Sequence, residues 1–97
     1  MPTYETLSHF LRDWKNLTAD QKTAFLVAVA QFVADLKVGH GFRRGLRVKK
    51  MQGHEDVWEM SWAPDGRATF HYGEPMQDGE PHAVWRRIGT HSIFGRP

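Results

Sequence analysis

The segment that decides the fold is VWEMSWAPDGRATFHY, residues 57–72. Large apolar side chains alternate with smaller or polar ones on both sides of its centre, and a period of two is typical of a β-strand with one buried face. The tetrapeptide APDG, residues 63–66, has the proline and glycine positions of a β-turn. The segment therefore predicts a β-hairpin, and we expect Trp58, Met60 and Trp62 to face the core.

A long helix is predicted on the N-terminal side of this hairpin. The motif TADQ, residues 18–21, matches a capping box, in which the first and fourth residues bond each other's backbone N–H groups. A stripe of apolar side chains at helical spacing follows the box, and Gly39 is expected to end the helix near Lys37. The stripe consists of Phe25, Val29, Phe32, Val33 and Leu36.

A shorter helix is predicted before the long one. It begins with Ser8 as its N-cap and continues to about Asn16, with Phe10, Leu11 and Trp14 on one face. Residues 4–7 fit either an extension of this helix or a short edge strand, and the sequence leaves both interpretations open.

Two further strands are predicted around the hairpin. Alternation predicts a first strand over residues 46–51 and a last strand over residues 83–88, with a loop rich in Gly and Pro over residues 73–81. Two helices followed by about four antiparallel strands make an α+β fold, with a helical hairpin packed on one sheet face. Residues 1–97 are long enough for one hydrophobic core, so we expect a single domain.

Composition excludes several classes of protein. The chain has no cysteine, which excludes a disulfide scaffold, a thiolate nucleophile and any zinc finger with cysteine ligands. Its longest apolar run is the seven residues 24–30, so we expect no transmembrane helix and no membrane partner. No secretory signal is recognisable, and we expect the protein to be cytoplasmic.

The charges are segregated although the formal net charge is only +2. Residues 38–54 carry +5, residues 55–80 carry −6, and residues 81–97 carry +3. If the two basic stretches meet in space, they form a surface suited to a polyanion. The alternative is a solvated surface in which the acidic stretch compensates the basic ones.

The histidines do not form a recognisable metal motif. None of the six lies at the spacing of an H-x3-H or H-E-x-x-H pair, so we expect no metal site. The sequence also lacks a glycine-rich phosphate loop before a helix, which excludes nucleotide hydrolysis of the P-loop type. No bound cofactor is expected.

The remaining polar residues are suited to an RNA phosphodiester. Cleavage without a metal requires proton exchange at the 2′- and 5′-oxygens and positive charge at the phosphate. Arginine binds phosphate through two parallel N–H groups, histidine exchanges protons near neutral pH, and an aromatic ring can stack on an unpaired base. The candidate residues are Arg47, Lys49, Lys50, Arg67, Arg87, His91 and Phe94, together with His54 beside the basic strand.

The segment WRRIGTHSIF, residues 85–94, resembles the ending of toxins of the RelE/ParE superfamily, particularly the YafQ-like branch. That ending has the form R-x-G-T/S-H-x-x-L/F. Residues 57–60 and 65–70 are similar to two strands of the same family, and the helical hairpin is similar to its two leading helices. The resemblance covers nearly the whole chain and implies the RelE-like α+β fold.

This resemblance implies the toxin of a type II toxin–antitoxin system, with a cognate antitoxin as its partner. It further implies a metal-independent endoribonuclease that cleaves mRNA on the ribosome and so inhibits translation. By position, His91 matches the family's catalytic histidine, and Arg87 and Arg67 match arginines suited to the scissile phosphate. Phe94 occupies the family's terminal aromatic position, and Lys49 lies on the strand that contacts RNA in RelE-type members.

The implied RNA contacts are Arg47, Lys49, Lys50, His54 and Phe94. Two positions depart from the family pattern. Phe94 lacks the hydroxyl of the tyrosine that some members have, so it cannot itself move a proton, and Ser61 stands where many relatives have a basic residue.

Two other functions remain open. A ParE-like toxin would bind a topoisomerase without cleaving RNA, although such binding does not require a proton-transfer residue like His91. A catalytically silent protein with the RelE fold would act only as a binding module. Substitution of His91 by alanine distinguishes these functions from an enzyme, because only an enzyme loses activity while keeping its partner.

Overall fold

The computed structural model describes residues 2–97, which form two helices and five strands. In chain order the elements are β1 (Thr3–Thr6), α1 (Ser8–Lys15), α2 (Ala19–Val38), β2 (Lys49–Lys50), β3 (Trp58–Ala63), β4 (Gly66–Tyr72) and β5 (His82–Gly89). Two short 3-10 helices, Arg44–Leu46 and His91–Gly95, precede β2 and follow β5.

The strands form one sheet in the order β1-β5-β4-β3-β2. The hairpin of β3 and β4 is confirmed, and the last strand lies antiparallel to β4 as expected. The expected sheet of about four antiparallel strands needs one correction, because β1 adds a fifth strand that runs parallel to β5. Of the two interpretations of residues 4–7, the edge strand is therefore the correct one.

The first helix begins differently from the prediction. Its N-cap is Leu7, and no side chain bonds the first turn, so the prediction of Ser8 as the cap is wrong. The reason is the neighbouring strand: Leu7 N donates to Trp85 O at 2.9 Å, which keeps the backbone extended until the residue before Ser8.

The second helix has the predicted boundaries. Thr18 Oγ1 accepts from Gln21 N at 3.1 Å, and Thr18 N donates to Gln21 Oε1 at 2.8 Å, which completes the capping box. Gly39 ends the helix in the left-handed conformation, with φ of 82°, a conformation that glycine adopts without the steric cost of a Cβ atom.

The strand predicted over residues 46–51 is shorter than expected. Leu46 belongs to a 3-10 helix, and Arg47 has φ of 48°, which breaks the extended backbone. Only Lys49 and Lys50 pair with β3. Leu46 nevertheless reaches the core, where it is 3% exposed.

The core lies between the helices and one face of the sheet. Aromatic rings dominate it: Phe32 contacts Phe70 and Trp85 with ring centroids 5.0 Å and 5.2 Å apart. Met60 and Trp62 are buried in this core, and Trp58 packs against it, as the alternation in β3 predicted. No helix within residues 2–97 is long and apolar enough to cross a membrane.

A β-bulge in β5 determines which of its side chains face the core. Phe70 pairs with Trp85, but Thr69 pairs with Arg87, so Arg86 is an extra residue in β5. Without the bulge, simple alternation from Trp85 would turn Arg87 toward the helices. With it, Ile88 enters the core instead, and Arg87 shares a sheet face with Thr69.

Candidate nucleic-acid interface

His91 lies in the 3-10 helix that follows β5. Thr90 Oγ1 accepts from Ser92 N and caps this helix, while Ile93 anchors it and is 3% exposed. The imidazole of His91 is 58% exposed, and its Nδ1 lies 2.7 Å from Asp65 Oδ1. The sequence marked Asp65 only as a turn residue between β3 and β4, so its contact with His91 was missed.

The Asp65 carboxylate fixes the proton arrangement of His91. An ionised carboxylate can only accept, so Nδ1 carries the hydrogen and Nε2 of the neutral ring has a free lone pair. Within residues 2–97, Nε2 has no hydrogen-bond partner. The ring of Phe94 stands edge-on to His91, with centroids 5.5 Å apart. This arrangement can exchange a proton with a bound ligand.

Arg87 is held by a carboxylate of the first helix. Its Nε and Nη2 donate to Asp13 at 2.6 Å and 3.2 Å, and its Nη1 donates to Arg96 O at 3.0 Å. Asp13 also accepts from Ile88 N at 3.1 Å, beyond the last pair between β1 and β5. The hydrogen bond with Asp13 raises the pKa of Arg87. Two of the five guanidinium N–H groups remain for a ligand.

Arg67 stabilises the turn that carries Asp65. It is 8% exposed, and its Nη1 donates to three carbonyl oxygens of this turn: those of Ala63, Pro64 and Gly66. Arg67 also pairs across the sheet with Gly89, two residues before His91. The sequence predicted that Arg67 binds a phosphate. In the structure, Arg67 also stabilises the turn beside His91.

A cavity of about 420 Å³ lies between α1, β5 and residues 95–97, and we call it the α1–β5 cavity. Two of the predicted site residues, Arg87 and His54, line it. The other charged or imidazole side chains of its lining were not predicted from the sequence; they are His9, Arg12, Asp13, Arg86 and Arg96.

Arg86 is fixed within this cavity by His71. Its Nη1 lies 3.0 Å from Nδ1 of His71, and its Nε donates to Pro97 O at 3.2 Å. Burial lowers the pKa of His71, and the positive charge of Arg86 lowers it further. The His71 ring is therefore kept neutral, which lets its Nδ1 accept from Arg86.

The other predicted RNA contacts lie apart from His91. Arg47 shares a separate cavity of about 460 Å³ with Arg67, beside the β3–β4 turn. Lys49 and Lys50 are exposed on β2, and Lys49 Nζ lies 3.9 Å from Glu59 Oε1. The predicted residues therefore form four groups: His91 with Phe94, Arg87 with His54, Arg47 with Arg67, and Lys49 with Lys50 on β2. No three His, Asp or Glu side chains within residues 2–97 are grouped as a metal site requires.

Solved toxin structures share this fold. YafQ from E. coli strain BL21(DE3) matches with a TM-score of 0.64 and 12% identity, over 97% of this chain and 98% of that chain. A chain of the E. coli DinJ-YafQ toxin-antitoxin complex matches at 0.64 and 15% identity, over 95% of this chain and 94% of that chain. A chain of the RelB-RelE antitoxin-toxin complex from Methanococcus jannaschii matches at 0.61 and 14% identity, over 95% and 98%.

No protein-family model and no curated protein matches the sequence. The likeness to YafQ and RelE therefore establishes the fold. It confirms the RelE-like architecture implied by residues 85–94.

Proposed function

We propose that this chain is the toxin of a type II toxin–antitoxin system and a metal-independent endoribonuclease that cleaves mRNA on the ribosome. The observation that carries the proposal is the exposed imidazole of His91, whose Nδ1 is held by Asp65 at 2.7 Å. A ring held in this way presents Nε2 to a ligand in a defined direction. The fold shared with YafQ and RelE supports the same function.

In the proposed reaction the 2′-oxygen of the RNA attacks the adjacent phosphorus, and the bond from phosphorus to the 5′-oxygen breaks. His91 Nε2 takes the proton of the 2′-hydroxyl while water protonates the departing 5′-oxygen, or in its charged form it protonates the 5′-oxygen while water takes the proton of the 2′-hydroxyl. The Asp65 carboxylate stabilises the imidazolium formed when Nε2 takes a proton. Arg87 directs its two remaining N–H groups to the phosphate oxygens.

This small surface contributes little to the orientation of the RNA. The predicted basic residues lie in separate groups, and two of them, Arg67 and Arg87, already bond protein atoms. We therefore assign the positioning of the mRNA to the ribosome, which converts an encounter of two molecules into an oriented contact. Action on the ribosome also implies a cytoplasmic location.

A cognate antitoxin is the proposed protein partner. The DinJ-YafQ and RelB-RelE structures are complexes of toxins with antitoxins. An acidic antitoxin segment would neutralise the same positive surface that RNA needs, because one charge pattern attracts both.

The test is cell-free translation followed by primer extension on the mRNA, with and without ribosomes. Wild type should cut mRNA only when ribosomes are present. His91→Ala should lower the cleavage rate by about 10²- to 10⁴-fold, the usual contribution of a general acid or base. Asp65→Asn should give an intermediate loss, because asparagine keeps an acceptor oxygen for Nδ1 but loses the charge that stabilises the imidazolium. His40→Ala, which changes an exposed histidine outside the site, should cleave normally.

A silent binding module is the second candidate, and one observation favours it. Arg67 is 8% exposed and Arg87 is paired with Asp13, so both arginines are partly withdrawn from a phosphate. Intact mRNA together with normal protein synthesis would reject the nuclease. A topoisomerase inhibition assay would then separate a ParE-like toxin from a silent module.

A further inference from the structure

We propose that the α1–β5 cavity binds the phosphate backbone of RNA next to the cleaved position, with Arg12 and Arg96 as its contacts. The proposal rests on the proposed nuclease function and extends its substrate surface to the first helix. None of the residues that the resemblance implies for RNA lies on that helix, so α1 is a new part of the interface.

The charge of the cavity supports this assignment. Its lining includes Arg12, Arg86, Arg87 and Arg96, against the one acidic side chain of Asp13. Asp13 is already paired with Arg87. Within residues 2–97, no Asp or Glu side chain pairs with the other three arginines. Arg86 already donates to Pro97 O and His71 Nδ1, so Arg12 and Arg96 supply the positive charge that no acidic side chain of the cavity compensates.

The path of the chain connects the cavity to His91. The 3-10 helix His91–Gly95 continues directly into residues 95–97, which line the cavity. Two hydrogen bonds fasten this segment along β5, from Arg87 Nη1 to Arg96 O and from Arg86 Nε to Pro97 O. Because Arg87 itself lines the cavity, an RNA strand that contacts both His91 and Arg87 would reach the α1–β5 cavity.

The size and the donors fit a nucleotide backbone. A volume of about 420 Å³ is within the range of small-ligand pockets. Arginine side chains bind phosphate oxygens bidentately, and a polynucleotide presents one negative charge at every residue. An acidic peptide would match the charge, but we favour RNA because Arg87, which the resemblance assigns to the scissile phosphate, lines the same cavity.

The experiment measures equilibrium binding of a fluorescent single-stranded 2′-O-methyl RNA of about ten nucleotides, within the usual site size for such strands. This RNA lacks the 2′-hydroxyl, so it cannot be cleaved and binding is separated from chemistry. Anisotropy titrations at several KCl concentrations give the affinity and its salt dependence. We compare wild type with the double variant Arg12→Gln/Arg96→Gln.

Each lost phosphate contact should reduce the slope of log K against log salt by about 0.7, and should weaken binding by about fivefold at 0.1 M salt. The double variant should therefore lose about 25-fold in affinity under these conditions. Its fold should persist, because the backbone carbonyl of Arg96, and not its side chain, binds Arg87. A thermal unfolding curve checks this.

The matched control is Lys15→Gln, which removes one positive charge from the same helix outside the cavity. It should change affinity less than twofold. If Lys15→Gln loses as much RNA affinity per removed charge as the double variant, the attraction is diffuse and the proposed RNA site in the cavity is refuted. Displacement of the RNA by a poly-glutamate peptide of equal charge and equal affinity would assign the cavity to an acidic protein segment and overturn the proposal.

Failure of this proposal and failure of the nuclease are distinguishable. Cleavage that depends on His91, with RNA binding unchanged in the double variant, would reject the RNA site in the α1–β5 cavity and leave the nuclease proposal intact. RNA binding that depends on Arg12 and Arg96, without any cleavage, would reject the nuclease and retain the cavity as an RNA site.

Discussion

Replacing Asp13 by asparagine should loosen the first helix from the last strand. One carboxylate accepts three hydrogen bonds there: two from the Arg87 guanidinium, at 2.6 Å and 3.2 Å, and one from Ile88 N at 3.1 Å. The side chains of Asp13 and Arg87 are 15% and 26% exposed, so water screens the pair only partly. Asparagine keeps one acceptor oxygen but loses the charge that strengthens all three bonds.

The expected cost follows from these contacts. Hydrogen bonds to charged groups contribute about 1.5–3 kcal/mol, and breaking a fully buried ion pair costs about 3–5 kcal/mol. Because this pair is partly exposed and one acceptor remains, we expect a loss of about 2 kcal/mol in the free energy of unfolding. For a domain of this size, such a loss lowers the melting temperature by roughly 8–16 °C.

Urea and thermal unfolding of the purified variant measure this loss. Asp78→Asn is the matched control, since Asp78 is an exposed loop residue and its substitution should stay within about 0.5 kcal/mol of wild type. A double-mutant cycle with Arg87→Gln should give a coupling energy of about 1 kcal/mol or more. A coupling energy near zero, or a loss no larger than that of Asp78→Asn, would refute the reasoning.

Two further predictions concern stability. The Arg43 side chain, which hydrogen-bonds Asp35, lowers the pKa of that carboxyl from 3.8 to about 2, so its stabilising contribution is complete above pH 3.8 and is lost as the pH falls toward 2. The stability difference between wild type and Asp35→Asn should therefore shrink over that interval in urea titrations at stepped pH, and a constant difference would contradict it. Gly66→Ala would place a Cβ atom 2.6 Å from the ring of Trp62, and should cost about 1–3 kcal/mol of unfolding free energy by urea denaturation. Gly95→Ala, with open space around its Cβ position, should cost far less, and equal losses would show that the contact with Trp62 is not the cause.

Much of the fold could be predicted because its signals are local. The capping box of Thr18 and Gln21 lies within four residues, and Gly39 ends the same helix by its own backbone freedom. The β3–β4 hairpin depends on alternation and on a turn inside one segment of sixteen residues, 57–72. Such features require no knowledge of which distant residues meet.

The missing parts of the fold depend on distant contacts. Residues 4–7 carry no signal that separates a strand from a helix, and pairing with β5, about 79 positions later, decides between them. The left-handed conformation of Arg47 shortens β2, although the alternation there is regular. The bulge at Arg86 shifts the phase of β5, and a strict period of two cannot show it.

The same distinction applies to the candidate site. Sequence reasoning found His91 and Arg87 through one contiguous segment, residues 85–94. It missed the carboxylates that orient them, because Asp65 is 26 positions from His91 and Asp13 is 74 positions from Arg87. In the sequence, Asp65 is an ordinary turn residue and Asp13 an ordinary polar helix residue, and only the fold brings them beside His91 and Arg87.

These carboxylates also explain how a chain with a formal net charge of only +2 could present the proposed surface for RNA. The acidic residues are not spread evenly as a compensating layer. Asp13 binds the Arg87 guanidinium, Asp65 binds the His91 imidazole, and Glu59 lies beside Lys49. The arginines of the α1–β5 cavity other than Arg87 lack such a partner within residues 2–97. Since phosphate attraction depends on local and not on total charge, the placement of the acids would determine where the proposed RNA substrate binds.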